Sequence, residues 1–305
     1  MIGYTLRRIA YLVPVIVGVS LVSFGLLRFI PGDPAVVLAG VGATEADLQG
    51  IRQEYGLDQP VPVQYVAYIG KALRGDLGIS IRTRDPVSRT LFQRLQLTVQ
   101  LTLLSMLISV SLGVFAGVVA ATRHNTWVDT AIMVTSLAGI SLPGFWLGLI
   151  LLVVFAGMLH WLPAGGSGTP LHLILPAIVL GTSGAAVIAR MTRGSMLDVI
   201  RQDYLRTLRA NGVSEQLIVY KHALRNALNP VITVVGLQFG FLLGGAVIVE
   251  SVFALPGVGA LMVNAIFNRD YPVVQGGMLV IATLFVLVNL GTDLLYGLVN
   301  PRIRY

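Results

Sequence analysis

The chain contains no cysteine in its 305 residues, which removes disulfides, thiolate catalysis and thiolate metal sites together. Charge is nearly as scarce. Asp, Glu, Lys and Arg make up 11% of the chain, whereas a soluble domain needs about 25% to cover its surface, so a soluble globular protein is excluded. Between Asp129 and Arg190 there are 60 residues without a single charged side chain. One bilayer crossing takes about 20 apolar residues, so this run holds two crossings and their connection. Lysine occurs only as Lys71 and Lys221. Neither lies in a Gly-x-x-x-x-Gly-Lys-[Ser/Thr] phosphate loop, which excludes ATP binding by this chain alone. The four histidines, His124, His160, His172 and His222, have no metal-ligand spacing. Gly181-Thr182-Ser183-Gly184 has the outline of an intramembrane serine-protease motif, but no histidine falls inside another span to serve as its base. The sequence therefore offers no catalytic residue and no metal ligand.

What remains is apolar: 55% of the residues, with mean hydropathy +0.81. The chain reads as an all-α integral membrane protein. Its net charge of +7 is the mark of basic cytoplasmic loops rather than of nucleic-acid binding. Six spans are predicted: 9–27, 97–121, 130–152 (kinked or broken near Pro143), 173–189, 231–252 and 273–295. The first ends in Pro31-Gly32-Asp33-Pro34, a sharp helix stop rather than a cleavage site, so it is read as uncleaved. Residues 31–96 form a hydrophilic external insert with seven basic and seven acidic residues. Within it Thr44 is placed to cap a helix closed by Gly56, and a second helix is expected from 62 to 73. Residues 75–80 and 256–272 read as loops. The chain thus divides into a cytoplasmic N-terminus with span 1 (1–30), the insert (31–96) and a core (97–305). Arg7, Arg8, Arg123, Arg302 and Arg304 fall on the same side as residues 190–225, which carry seven basic and three acidic residues. The positive-inside rule then puts both termini in the cytoplasm.

Residues 203–230 (DYLRTLRANGVSEQLIVYKHALRNALNP) form a polar, arginine-rich island between two apolar spans. A first helix is expected from about Ser195, with Leu197, Ile200, Tyr204 and Leu208 on one apolar stripe. Gly212 stands where a helix end wants positive φ. Ser214 is placed to cap a second helix, Glu215 suits its positive end, and Leu217, Tyr220, Leu224 and Leu228 repeat the spacing. Asn229-Pro230 is expected to stop it. Such a hairpin either packs on its own bundle or grips a cytoplasmic partner. A DNA-binding helix-turn-helix shares the outline, but a segment tethered at both ends by spans does not reach a groove.

At these residues the chain resembles the permease subunits of ATP-binding-cassette (ABC) importers. Gly212 matches the glycine of their cytoplasmic EAA loop, and Arg206-Thr207-Leu208 occupies the EAA triplet. The form DYxRTxRAxG, followed by HALRNAxxP at 222–230, is similar to the dipeptide, oligopeptide, glutathione and nickel branch. Pro31-Gly32-Asp33-Pro34, Gly75-Asp76-Leu77-Gly78-Ile79-Ser80, Asp270-Tyr271-Pro272-Val273-Val274-Gln275 and Asn300-Pro301-Arg302-Ile303-Arg304 extend the likeness over nearly the whole chain. It points to the larger permease, with the external insert. Leu208 and Asn211 depart from the alanine and lysine of the pattern. The resemblance implies the type I permease fold and a bacterial inner-membrane location. It further implies docking of Tyr204, Arg206, Thr207, Arg209, Ala210, Gly212 and Ser214 onto an ATPase. Its expected partners are a homologous second permease, two ATP-binding subunits holding ATP and Mg, an extracytoplasmic substrate-binding protein and lipid, with no nucleic acid. Short peptides are the expected cargo; glutathione, nickel chelates and other small solutes remain open, as does a stand-alone secondary transporter.

Glu250 and Gln238 on span 5 are the candidates for the substrate pathway. A charge at mid-bilayer costs about 2.5–3.5 kcal/mol, so Glu250 is expected to face protein, water or the outer interface. Asp293 and Asn289 are read as structural, and Arg28 as reaching the outer interface. Gly113 with Gly117, and the row Gly236, Gly240, Gly244, are read as close-packing faces.

Overall fold

The computed structural model describes residues 2–29, 33–39 and 43–299. Pro31, Gly32 and residues 300–305 lie outside the described residues, as do the side chains of Arg7, Arg8, Arg28 and Asp293. Among the described residues all regular elements are helical: α1 (Ile2–Phe29), α2 (Pro34–Ala39), α3 (Glu45–Tyr55), α4 (Val61–Leu73), α5 (Val87–Thr122), α6 (Trp127–Ser141), α7 (Gly144–Leu151), α8 (Ile174–Ile200), α9 (Asp203–Ala210), α10 (Glu215–Leu217), α11 (Leu224–Val252), α12 (Val258–Phe267) and α13 (Tyr271–Val299). Among the described residues four helical runs are long and apolar enough to cross a membrane: Val87–Thr122, Pro170–Ile200, Glu215–Val252 and Tyr271–Thr292. These are the second, fourth, fifth and sixth predicted spans. The third is a pair, α6 and α7 with the π turn Leu152–Met158, bent by 101°. Leu142 before Pro143 is extended (φ −77°, ψ 127°), the conformation a following proline imposes, and the helix breaks there. The first predicted span lies in α1, whose apolar part is Ala10–Gly25.

The helices form two compact units. One comprises Val99–Leu255 together with Val288–Tyr305. Its axis is the pairing of α8 with α11, with α6 and α7 packed against it. Gly113 and Gly117 let α5 lie directly on α8. A Cβ at Gly113 would stand 2.7 Å from the Ile188 side chain, and one at Gly117 2.5 Å from Thr192. The expected glycine face of α5 is therefore used within the chain. On α11 only part of the predicted row behaves so: Gly236 is closed off by Thr292 at 2.2 Å, whereas a Cβ at Gly244 meets nothing within 4 Å. The hydroxyls of Thr182 and Ser183 donate to their own helix, at Val179 and Leu180.

The second unit comprises Ile2–Thr98 and Pro256–Leu287. Thr44 and Asp47 make a reciprocal cap for α3, and Gly56 closes it at φ 59°, as the residue types predict. The Arg52 side chain and the Ala35 amide both bond Asp33, holding that carboxyl below the usual carboxylate range. The loop at 75–86 is clamped to the segment before α13: the buried Asp270 accepts from the Ser80 hydroxyl (2.5 Å) and the Ile81 amide (3.1 Å). Val87 and Leu91 pack with Val258, Ala265, Val273 and Val274 beneath it.

Two expectations are corrected here. The stretch 256–272 is not all loop: it folds as α12, because Gly257 starts a turn whose Val258, Gly259 and Ala265 are buried. And α5 begins at Val87, inside the stretch read as insert, because Val87 and Leu91 are buried in an apolar cluster.

Candidate functional site

The arginine-rich island is built differently from its predicted hairpin. No helix starts at Ser195; α8 runs on to Ile200, and the chain turns at Arg201–Gln202, with Gln202 extended (ψ 146°), before α9 begins. The predicted stripe is thereby cut in two. In α9 the residue driven into the core is Leu205, fully buried, while Tyr204 is 36% exposed. Leu197, Ile200 and Leu208 flank the same cluster, whose centre is Met196, Leu205, Ile218, Ala223 and Ala227.

The turn at Gly212 follows the prediction in detail. Gly212 has φ 77°, the left-handed region that a side chain penalises by roughly 1–2 kcal/mol. The Gly212 amide bonds the Arg209 carbonyl (3.0 Å) and the Val213 amide the Leu208 carbonyl (3.1 Å). This is the paired 5→2 and 6→1 closure of a Schellman end, complete with its apolar contact through Val213 and Leu208. Ser214 occupies the cap position of α10, but only its carbonyl is used, by the Ile218 amide; its side chain makes no cap. Glu215 instead receives both forks of Arg209, at 3.0 and 2.8 Å.

The second limb also departs from its predicted register. After α10 the chain makes a π turn at Ile218–Ala223. A wide turn carries one extra residue, so the i, i+3, i+7 reading fails across it. Ile218, Val219, Ala223, Ala227 and Val231 are buried, while Leu217 and Tyr220 are 44% and 62% exposed. Nor does Pro230 stop the helix. It sits inside α11 on an exposed side, with Ala227 and Val231 buried on either side of it; packing holds the helix through the missing hydrogen bond.

Cross-links hold the limbs together. The Tyr204 hydroxyl donates to the His222 carbonyl (3.3 Å) and accepts from the Asn226 amide (2.7 Å). Ser195 donates to the Ala227 carbonyl (2.8 Å). Arg206 reaches Asp203 (3.3 Å) and the Thr207 hydroxyl bonds the Asp203 carbonyl. Arg206, Thr207, Ala210, Gly212 and Ser214 remain exposed. The result is a cross-linked polar face with two outward apolar side chains, Leu217 and Tyr220, carried on a buried apolar plug.

One anchor of this region was not legible in the sequence. Asp129, 3% exposed, receives Arg193 bidentately, through Nε to Oδ1 at 2.5 Å and a terminal nitrogen to Oδ2 at 2.7 Å. The Asn125 amide and the His124 ring complete its shell, each at 3.1 Å. This ties the start of α6 to the C-terminal half of α8, ten residues before the island. The only signal was an acidic residue in the first turn of a span and an arginine 64 positions on, which spacing alone does not pair. Of the pathway candidates, Glu250 is fully buried and Gln238 is 9% exposed, beside Gly184 of α8. Glu250 thus faces protein.

The chain, a helical bundle with a broken span and a hairpin between α8 and α11, belongs to a family of membrane transport subunits. The model described as "Binding-protein-dependent transport system inner membrane component" matches residues 113–305, and a companion model for the N-terminal part of such components matches 1–102. The chain is 46% identical over 305 residues to the Glutathione transport system permease protein GsiC of Escherichia coli. It is 43% identical over 333 aligned positions to the Dipeptide transport system permease protein DppB of Alkalihalophilus pseudofirmus. In both cases all of each chain is covered. The fold is that of an inward-facing MetNI methionine ABC transporter chain, with a TM-score of 0.59, 20% identity and coverage of 69% of this chain and 96% of that one. An amino acid ABC transporter shares it with a TM-score of 0.51, 17% identity and coverage of 71% and 95%.

Proposed function

We propose that this chain is the permease of an importer for short peptides, dipeptide- or glutathione-like, powered by ATP that separate subunits hydrolyse. The observation that carries the coupling role is the cross-linked hairpin at 203–230. Leu205 and Ile218 anchor it in the bundle, so a push on its polar face is transmitted to α8 and α11 rather than absorbed. Full-length similarity to a dipeptide and a glutathione permease supports the cargo class. The chain brings no phosphate loop, so ATP and Mg belong to two partner ATPase subunits. A homologous second permease and an extracytoplasmic binding protein complete the assembly in a bacterial inner membrane, with both termini and the hairpin in the cytoplasm. The insert and core divide at about residue 96.

Docking is assigned to Tyr204, Arg206, Thr207, Arg209, Ala210, Gly212 and Ser214, with Leu217 and Tyr220 as the apolar contacts added by the observed register. ATP-driven closure of the ATPase pair shifts the population between two packings of the spans. The test is copurification with the ATPase subunits of the assembly, together with uptake of a labelled dipeptide. The pair Arg209→Glu with Gly212→Val opens the Arg209–Glu215 fork and strains the turn, and is expected to lose both the ATPases and uptake. Retention of both overturns the docking assignment; uptake of no peptide by the intact assembly overturns the cargo.

Glu250 and Gln238, closed off in this packing, are assigned to the route that opens when α8 and α11 repack. Glu250→Gln is expected to lower uptake with assembly unchanged. Normal uptake removes Glu250 from the route.

A further inference from the structure

The insert is hydrophilic on average, but its charge is not evenly spread. No charged residue occurs from 59 to 70, and α4 occupies that run. One side of α4 faces α1: the Tyr65 hydroxyl is hydrogen-bonded to Ser20 at 2.7 Å and the Tyr68 hydroxyl to Ser23 at 3.0 Å. Both rings pack on Phe24, with centroids 5.3 and 5.6 Å away. A surface helix would turn charge to its other side. Helix α4 does not. At about 100° per residue the arc opposite the tyrosines holds Val63, Val66, Gly70 and Leu73, with Val66 69% and Leu73 84% exposed. Its polar residues Gln64 and Lys71 lie on the flank between the two sides, so the outer side is apolar, as suits a core or a bilayer.

Its height on α1 decides between these. Ser23 and Ser20 lie roughly 3 and 8 Å along the axis before Gly25, where the apolar part of α1 ends, at about 1.5 Å per residue. That is within one hydrocarbon leaflet, half of a core about 30 Å thick. At the same height α1 itself turns Leu21 and Val22 outward, 50% and 55% exposed, as a lipid-facing span does. The outer face of α4 continues that apolar surface. Arg74, exposed, stands at its C-terminal end, where a long cationic side chain reaches headgroup phosphates.

We propose that α4 is seated in the bilayer. Its Val63–Val66–Leu73 face rests on acyl chains of the leaflet adjoining the insert, and its basic end meets anionic headgroups. The insert is then held at a set height on the membrane and does not float above it. The partner on this face is lipid; the second permease and bulk water are the other possible occupants, and the experiment separates all three.

Absence of native cysteine makes single-cysteine labelling clean. Val66→Cys, Leu73→Cys and, as a control on the exposed side of α3, Gln53→Cys would each carry an environment-sensitive fluorophore in the assembled transporter. The assemblies would be reconstituted in phosphatidylethanolamine–phosphatidylglycerol vesicles. Labels at 66 and 73 are expected to emit in the blue and lose most of their intensity to lipids bearing a nitroxide high on the acyl chain. The label at 53 should respond only to aqueous iodide. Iodide quenching at 66 and 73 would show water there, and blue emission indifferent to nitroxide lipid would show protein; either overturns the proposal. For the unlabelled chain, a photoactivatable phosphatidylglycerol is expected to cross-link peptides within 61–73, and a failure to do so counts against it equally, whatever the labelled variants do.

Discussion

Leu205→Asp is expected to reduce uptake to the level of membranes lacking the transporter and to strip the ATPase subunits from the purified assembly. Leu205 is fully buried among Met196, Ile218, Ala223 and Ala227. Truncating such a leucine to alanine costs about 2–5 kcal/mol, and a carboxylate at the same place adds the penalty of an unpaired buried charge. A plug of this size has no means of sharing that cost, so α9 should leave the bundle. Leu205→Met keeps the volume and is expected to cost less than about 1.5 kcal/mol, with uptake near normal. Limited proteolysis in the 200–230 region, read beside ATPase recovery, separates the two variants. Near-normal uptake by Leu205→Asp would show that the hairpin does not need its plug.

The second large effect is expected at Asp129. Asp129→Ala leaves Arg193, itself only 24% exposed, facing the pocket that its carboxylate filled. Breaking a fully buried pair on one side costs about 3–5 kcal/mol; partial access of water to Arg193 places the expected loss at the lower end of that range. Thermal unfolding of the assembled transporter should shift down clearly for Asp129→Ala and for Arg193→Ala. The double variant Asp129→Leu/Arg193→Met replaces the pair by apolar side chains and is expected to recover much of the loss, since a buried pair and an apolar substitute often come out near even. Recovery of stability without recovery of uptake would assign the pair a part in the movement of α8 against α6. Two single losses that simply add in the double variant would show that the residues do not act as a pair.

Several elements are legible in the residues themselves. The broken third span follows from Pro143, because a missing donor and a constrained preceding residue act locally. The ends of α3 follow from Thr44, Asp47 and Gly56 for the same reason: their hydrogen bonds reach three or four residues along the chain. Gly212 belongs with these, since only a residue free to take positive φ closes that turn cheaply.

The island's register was not legible. The i, i+3, i+7 count assumes one helical period over its whole length, and here the chain breaks it twice, at Gln202 and across the π turn at Ile218–Ala223. Each break moves the buried set by about one residue. Leu205 thereby replaces Tyr204 in the core, and Leu217 and Tyr220 come to the surface. Pro230 misled in the opposite sense, since propensity argues for a stop and packing on both sides of it carries the helix through.

Taken by itself, the sequence determined the class of this protein: a charge-poor, all-helical membrane permease without its own phosphate loop, with a polar, arginine-rich island between two apolar spans. Composition, uncharged runs and local caps are sums over neighbours in the chain, and they survive without knowledge of the fold. The tertiary structure alone decided which side of the hairpin is plug and which is face, that Asp129 meets Arg193, and that α4 lies on α1. Those outcomes rest on contacts between residues far apart in sequence, whose free energy depends on where two surfaces come to touch.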